Sequence, residues 1–128
     1  MKGIRSEIGR RGEDEACRYL SLQGHRIVAR NWRSGHFEID IVSLKGNELH
    51  ITEVKTRCVP AEAAPEVNVS PRKARNVAAA AGAFLNSKER TGLPEDLEVF
   101  FDVATLLFDG VNFELEYYPQ AFIPLYAE

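Results

Sequence analysis

Two carboxylates and an amine lie in two neighbouring β-rich runs of the sequence. Asp40 lies in the first run, residues 37–44, and Glu53 and Lys55 lie in the second, residues 48–57. Two carboxylates with further coordination positions open suit Mg²⁺ or Mn²⁺. Lys55 would supply one positive charge beside them, and a divalent ion would supply the rest. These residue types therefore indicate a metal site, provided that the fold brings the two runs together.

The segment between the two runs predicts that the fold brings them together. Gly46-Asn47 is a dipeptide typical of a two-residue hairpin loop, which pairs Lys45 with Glu48. Side chains alternate between the two faces of a strand. The register therefore assigns one face to the opposed pairs Leu44 and Leu49, Val42 and Ile51, Asp40 and Glu53, and Glu38 and Lys55. The other face then holds the packing residues Phe37, Ile39, Ile41, His50, Thr52 and Val54.

The charged end of this hairpin has two interpretations. Directly opposed carboxylates lie ~5 Å apart between Cβ atoms and destabilise a strand pair, and each raises the pKa of the other. A bound cation would remove that penalty for Asp40 and Glu53. Alternatively, the hairpin end is solvated and its charges simply face water. The spacing is compatible with both.

The first helix contributes a third carboxylate. Residues 5–23 predict a helix that ends at Gly24. Glu13 lies on its packing stripe, either as a helix-dipole partner near the start of the helix or as an acid that leans toward the hairpin carboxylates. Gly9 and Gly12 would either let this part of the helix approach the sheet closely or mark a frayed helix start.

A second helix opens at Ser70-Pro71, residue types that are typical of an N-cap and a first helical residue. Arg72, Lys73 and Arg75 crowd its first turn, where cations oppose the helix dipole. A phosphate bound at the helix N-terminus would offset that cost; otherwise the three residues form a solvated face. The loop before this helix, residues 58–69, is either a mobile flap over a substrate or a connector.

The complete order of elements is helix, three strands, helix, two strands. Residues 25–33 form a short strand, residues 31–35 a turn before the hairpin, and residues 97–108 and 111–118 the last two strands. Asp102 interrupts the first of these two and is interpreted as a hydrogen-bonded structural carboxylate rather than a catalytic one. A hairpin followed by a crossover helix and another strand predicts an α/β (α+β) fold, with a mixed central sheet flanked by helices.

Composition predicts one globular domain. The 128 residues are 45% hydrophobic and 27% charged, with a net charge of −3, which argues against coating of nucleic acid by bulk charge. The charges are uneven: eight Lys/Arg and four Asp/Glu in residues 1–33, eight and seven in residues 34–94, and none and eight in residues 95–128. Such polarity would allow a basic face for a polyanion opposite an acidic face.

The expected location is the cytoplasm. The sequence has neither an N-terminal apolar signal segment nor an apolar run long enough to span a bilayer, so no membrane partner is expected. Cys17 and Cys58 form no zinc pattern, and we expect both thiols to be reduced.

Glu13, Asp40 and Glu53-Val54-Lys55, in this order, resemble the PD-(D/E)XK nuclease superfamily, whose core is an αβββαβ arrangement like that of the restriction endonucleases. Over nearly its full length, the chain resembles the YraN-like family of small bacterial proteins. The matching segments are Gly9-Arg10-x-Gly12-Glu13-x-x-Ala16, Arg30-Asn31-x-Arg33, Glu38-Ile39-Asp40, Glu53-Val54-Lys55-Thr56-Arg57, Lys73 and Phe101-Asp102-Val103. Phe37 stands where that family usually has Gly, and Phe100 where it often has Arg, which removes a basic group.

This resemblance implies a Mg²⁺- or Mn²⁺-dependent endonuclease, similar to archaeal Holliday-junction resolvases, that cleaves structured or branched DNA and could be a homodimer. The implied ligands are Asp40, Glu53 and the Val54 carbonyl, with Glu13 as an additional or water-mediated ligand. Lys55 would orient the attacking water and stabilise charge on the phosphate. Glu38 would support the ligands from beside the site. Arg33, Arg57, Arg72 and Lys73 would contact backbone phosphates.

Two other classes of function stay open. A nucleic-acid-binding module could keep this fold without turnover, and a protein-interaction domain could use the acidic residues 95–128. The intact set of acids favours the nuclease, whereas the low net positive charge leaves both alternatives open.

Overall fold

The computed structural model describes residues 2–59 and 67–122, with side chains from residue 7 onward. The order of elements predicted from the sequence is confirmed. The elements are α1 (Lys2–Leu22), β1 (Arg26–Ser34), β2 (Phe37–Lys45), β3 (Glu48–Cys58), α2 (Pro71–Leu85), a 3-10 turn (Lys88–Arg90), β4 (Glu98–Phe108) and β5 (Phe113–Tyr118).

One five-stranded mixed sheet forms the centre of the fold, with the strands in sequence order from β1 to β5. Neighbouring strands are antiparallel except for β3 and β4, which are parallel. Parallel neighbours need a crossover connection, and the segment that contains α2 provides it. The predicted α+β class with an αβββαβ core is confirmed.

The two long helices cover opposite faces of the sheet. On one face, Val77 and Phe84 of α2 pack against Val42 and Ile51 of the hairpin, and Trp32 contacts Phe84 edge-on at 5.3 Å between ring centroids. On the other face α1 packs through Ala16, Cys17 and Leu20 against Ile41, Ala104 and Leu106. Trp32 thus packs against the core on this face. No helix in the described part of the chain is long and apolar enough to cross a bilayer.

Local signals fix the end of α1 and the start of α2 as predicted. Gly24 adopts a φ of +95° after α1, a left-handed conformation that glycine tolerates without steric cost. Ser70 caps α2, because its Oγ accepts a hydrogen bond from the Lys73 N–H at 3.1 Å. The start of α1 differs from the prediction: the helix begins at Lys2, not at residue 5.

The hairpin register is confirmed near its turn and is wrong at its open end. Lys45 pairs with Glu48, Leu44 with Leu49 and Val42 with Ile51. Among these described residues the ladder ends at the pair of Ile41 with Thr52, so the predicted pairs Asp40–Glu53 and Glu38–Lys55 do not form. The cause is the Asp40 side chain, whose Oδ2 accepts a hydrogen bond from the Val54 N–H at 2.8 Å.

At the same irregularity, the alternation of β2 side chains between the two faces of the sheet shifts by one residue. Ile39 and Val42 both pack on the α2 face, although Ile41 packs on the α1 face. Asn31 of β1 has a φ of +51° at this level of the sheet, between the pairs Arg30–Ile41 and Trp32–Ile39. The sequence assigned Phe37 and Ile39 to the same face as Ile41 and Val54. This is wrong for Phe37 and Ile39, which pack on the α2 face, and confirmed for Ile41 and Val54, which pack on the α1 face.

Two loop predictions have different outcomes. The turn expected at residues 31–35 is wrong for most of its length, because β1 continues to Ser34 and only Gly35-His36 turn before β2. The proposed flap at residues 58–69 lies mostly outside the described residues, since residues 60–66 are not described.

Candidate functional site

Asp40 and Glu53 form the centre of the candidate site. Asp40 lies in β2 and Glu53 in β3, each next to the pair of Ile41 with Thr52 at which the ladder between the two strands ends. Burial, followed by the charge of the nearby Glu53, raises the pKa of Asp40 to about 7, and the charges of Glu13 and Glu38 add to this. The hydrogen bond from Val54 opposes that rise. The predicted acids are therefore close enough for each to disfavour ionisation of Asp40.

A lysine from α2 lies against these acids. Lys73 Nζ is 2.9 Å from Glu53 Oε2, and the Glu53 side chain is only 11% exposed. Burial opposes the charge of Lys73, but the hydrogen bond to Glu53 and the charges of Glu53, Asp40 and Glu38 outweigh it and raise the pKa of the ammonium. The sequence predicted that Lys73 contacts DNA phosphates. In the structure its ammonium forms an ion pair with Glu53.

Glu13 lies beside the same cluster from the α1 side. It is buried, and its Oε1 accepts hydrogen bonds from the Arg30 guanidinium at 2.8 Å and the Asn31 amide at 2.9 Å. Arg30 also donates to Asp14 at 2.7 Å. Because α1 begins at Lys2, Glu13 lies in the middle of the helix. It therefore does not interact with the helix dipole at a first turn; its carboxylate is held by residues of β1, and its charge contributes to the raised pKa of Asp40.

Close contact between α1 and β3 places Glu13 there. A Cβ built on Gly12 would overlap the side chain of Thr56, whereas a Cβ on Gly9 would meet nothing within 4 Å. The prediction that glycines permit a close approach is confirmed for Gly12 and wrong for Gly9.

Lys55 lies two residues after Glu53 in β3 and is partly buried. Its Nζ donates a hydrogen bond to the Asn68 carbonyl at 2.7 Å, so this lysine connects β3 to the segment that precedes α2. The role predicted for it, orientation of a water at a phosphate, stays a prediction.

The basic residues predicted to contact phosphates are all on the surface. Arg33 is 71% exposed and lies 3.6 Å from Glu38 across the strand pair. Arg57 is exposed at the end of β3, where its guanidinium donates to the Thr56 carbonyl at 2.9 Å, and Arg72 is exposed in the first turn of α2. Their contacts with DNA stay predictions.

The donor set fits a two-carboxylate metal site. Within residues 2–59 and 67–122, no three His, Cys, Asp or Glu side chains converge closely enough to hold a metal ion. The contacts described above use one oxygen of Asp40 and one of Glu53, and the second oxygen of each could ligate Mg²⁺ or Mn²⁺. Glu13, held by Arg30 and Asn31, stays a prediction as an additional or water-mediated ligand. The Val54 carbonyl as a ligand stays a prediction.

Comparison with known proteins identifies the family. The profile described as "Uncharacterised protein family UPF0102" matches residues 12–106. The chain belongs to the UPF0102 family. The resemblance to YraN-like proteins is thereby confirmed, since these form that family. A UPF0102 protein of Bacteroides thetaiotaomicron is 40% identical over 119 residues, covering 93% of this chain and 94% of the relative. Another, from Flavobacterium johnsoniae, is 34% identical over 117 residues, covering 91% and 94%.

A second buried polar network in this UPF0102 protein was only partly predicted. Asp102, fully buried in β4, accepts hydrogen bonds at Oδ2 from Tyr117 and, at 2.6 Å, from His50 Nδ1, and at Oδ1 from the Gln120 N–H at 2.8 Å. His50 Nε2 contacts Glu48 Oε1 at 2.9 Å. The interpretation of Asp102 as a hydrogen-bonded structural carboxylate is confirmed. No local signal in the sequence identifies His50 as its partner, because the two residues are 52 positions apart.

A cavity of about 240 Å³ adjoins that network and is lined by Tyr19, Leu20, Gln23, His25, Lys45, Glu48, His50, Tyr117 and Pro119. His25 Nδ1 contacts Ser43 Oγ at 2.9 Å, and its ring meets the His50 ring edge-on. Burial and the neighbouring charge of His50 lower the pKa of His25. For His50, burial is outweighed by the hydrogen bonds to Asp102 and Glu48, which raise its pKa.

Proposed function

We propose that this chain is a metal-dependent endonuclease that hydrolyses phosphodiester bonds in DNA, with a preference for branched or otherwise structured DNA. The observation that supports this most is the pair Asp40 and Glu53, brought together where a ladder between two adjacent strands ends. Burying two like charges side by side destabilises the fold. Such an arrangement is common where chemistry requires it.

The chain's own residues have distinct roles in this proposal. Asp40, Glu53 and the Val54 carbonyl would hold Mg²⁺ or Mn²⁺, with Glu13 bound through a water. A bound ion would supply polarisation of the phosphodiester and a more acidic water. Lys55 would exchange its hydrogen bond to the Asn68 carbonyl for one to the attacking water. Glu38 would keep the carboxylates in place from beside the site.

Surface cations would hold the substrate. Arg33, Arg57 and Arg72 are exposed, so each can reach a backbone phosphate without first breaking a buried contact. Phosphate contacts fix the position of a nucleic acid but do not read its sequence. Selectivity would therefore depend on the shape of the DNA. By resemblance to resolvases, the active form is expected to be a homodimer, which size-exclusion chromatography with light scattering would test.

Cleavage assays on labelled DNA test the proposal. A four-way junction, a flap and a linear duplex are incubated with the full chain and Mg²⁺, Mn²⁺ or EDTA. Cleavage is expected with either metal and to fall on the order of 10²-fold or more in Glu53→Gln and Asp40→Asn, because each loses a ligand. Glu114→Gln is the matched control: Glu114 is exposed in β5, and the variant should cleave like the native chain.

Two results would contradict the proposal. One is that none of the three DNA substrates is cleaved with either metal. The other is that Glu53→Gln and the native chain cleave equally, which would indicate a contaminating nuclease.

The ion pair between Glu53 and Lys73 favours one alternative, a DNA-binding module without turnover, because Lys73 already neutralises a proposed ligand. This alternative predicts salt-sensitive binding of the junction that survives Asp40→Ala, in a protein that cleaves none of the substrates.

A further inference from the structure

We propose that Lys73 is a built-in counter-ion of Glu53, and that it competes with a divalent metal ion for this carboxylate and the neighbouring Asp40. This inference rests on the metal site of the proposed function. It adds a regulatory role for a residue of α2, since the ammonium must leave Glu53 before the carboxylate can serve fully as a metal ligand.

The position of Lys73 in its helix is the first argument. Lys73 lies in the first turn of α2, which contains no acidic residue. The partial positive charge of a helix N-terminus repels a cation there. The 2.9 Å contact between Lys73 Nζ and Glu53 Oε2 supplies the missing compensation, so the ammonium is held by the acids of the sheet and not by its own helix.

The difference in exposure between the two partners is the second argument. The Glu53 side chain is 11% exposed, whereas the Lys73 side chain is 50% exposed. The Lys73 backbone is anchored, because its N–H donates to the Ser70 cap. Only the long, flexible side chain needs to move for the ammonium to leave. The pair can therefore open without a change in the fold, while Glu53 stays in place.

The repulsion between Glu53 and Asp40 is the third argument. The ion pair of Glu53 is with Lys73. A cation that replaces the ammonium at Glu53 would also relieve the repulsion between Glu53 and Asp40, which is the energetic need that a metal ion would meet.

Competition has a consequence for DNA binding. A DNA phosphate near α2 offers Lys73 another anion, and drawing the ammonium away would raise the affinity of the acids for metal. By linkage, metal would then raise the affinity for DNA by the same factor. Lys73 would thus make the metal site complete only when substrate is present.

Metal binding without DNA tests the inference directly. The affinity of the full chain for Mn²⁺ is measured from the electron paramagnetic resonance signal of unbound Mn²⁺, with no nucleic acid present. Lys73→Met should bind Mn²⁺ about fivefold more tightly than the native chain, the upper range expected for a partly exposed ion pair. Lys73→Arg keeps the charge and should bind like the native chain.

Arg75→Met is the matched control. It removes the same charge from the same helix turn, and exposed Arg75 forms no ion pair with any acid among the described residues. Its effect on Mn²⁺ affinity should stay below about twofold, because exposed charges are screened by salt. The double variant Lys73→Met with Glu53→Gln should lose the added affinity, which locates the ion at this carboxylate. Circular dichroism confirms that each variant folds, and Lys73→Gln replaces Lys73→Met if that variant does not.

The outcomes separate this inference from the proposed function. Mn²⁺ affinity that is unchanged or weaker in Lys73→Met overturns the counter-ion role, even if the native chain cleaves DNA. Tighter binding in Lys73→Met supports it, even if no DNA is cleaved. Equal tightening in Arg75→Met also overturns it, since a general change in charge would then explain the effect.

Discussion

Two aspartates on the central sheet occupy opposite electrostatic situations. Asp102 is fully buried, yet three donors satisfy its carboxylate: His50, Tyr117 and the Gln120 N–H. Asp40 is only partly buried, but burial and the charges of Glu53, Glu13 and Glu38 raise its pKa to about 7. Burial alone therefore does not distinguish a structural carboxylate from a candidate functional one.

The hydrogen bonds and charges around each carboxylate distinguish Asp102 from Asp40. A buried polar group with complete hydrogen bonds stabilises one arrangement of the fold. Carboxylates that lack compensating charge destabilise the empty protein and create a demand for a cation or a proton. Every buried side-chain nitrogen or oxygen in the described part of the chain has a hydrogen-bond partner, so the difference lies in charge and not in missing hydrogen bonds.

Removing the carboxylate of Asp102 should have the largest effect and tests the contrast between the two aspartates most strongly. Asp102→Ala leaves His50, Tyr117 and the Gln120 N–H without their common acceptor in a buried region. We expect the free energy of unfolding to fall by about 3–5 kcal/mol, measured by urea denaturation. Asp96→Ala, at an exposed position, should change it by less than about 0.5 kcal/mol. An equally small change in Asp102→Ala would mean that the network contributes little to the fold.

A smaller effect is expected where α1 meets the sheet. In Gly12→Ala the new methyl group overlaps Thr56, so we expect a loss of about 1–3 kcal/mol in urea denaturation. Gly9→Ala meets nothing within 4 Å and should stabilise the helix by about 0.5–1 kcal/mol. The double variant Gly12→Ala with Thr56→Ala should recover part of the loss. Equal effects of the two glycine substitutions would contradict the close approach that places Glu13 beside Asp40.

The sequence allowed most of the fold to be predicted because the signals involved are local. The apolar periodicity, Gly46-Asn47 and Ser70-Pro71 gave the hairpin, its register near the turn and the start of α2. The slip of β2 at Asp40 was missed because a side chain, and not the backbone, takes the Val54 N–H. Asn31 at positive φ on the neighbouring strand gives no periodic signal.

The site was predictable as a set of residues but not as a set of contacts. The predicted register made Asp40 and Glu53 neighbours, although not with the correct pairing, and the packing stripe of α1 allowed Glu13 either to lean toward them or to be a helix-dipole partner. The partners of these acids are distant in sequence: Arg30 lies 17 residues after Glu13, and Lys73 comes from α2. Such pairs depend on tertiary packing, so the sequence suggested phosphate as the partner of Lys73 where the structure gives Glu53.

The smallest expected effect concerns Asp40, the carboxylate that lies near other acids, and its sign is opposite to that for Asp102. Asp40→Asn keeps the shape of the side chain and an oxygen for the Val54 N–H but removes the charge. In protein treated with EDTA we expect a gain of about 1–2 kcal/mol in the free energy of unfolding at pH 8, since partial exposure to solvent weakens the repulsion that the substitution removes.

The dependence on pH gives this prediction a direction. Asp40 has a raised pKa in the folded state, about 7 against 3.8 for an ordinary aspartate. The native chain therefore loses stability as pH rises from about 4 to about 7 and no further from this group above that range. The advantage of Asp40→Asn should be absent near pH 4 and complete by pH 8. Urea denaturation at both pH values measures it, with Asp96→Asn as the exposed control. A loss of stability in Asp40→Asn at pH 8 would show that Asp40 is satisfied like Asp102, and the contrast between the two aspartates would then disappear.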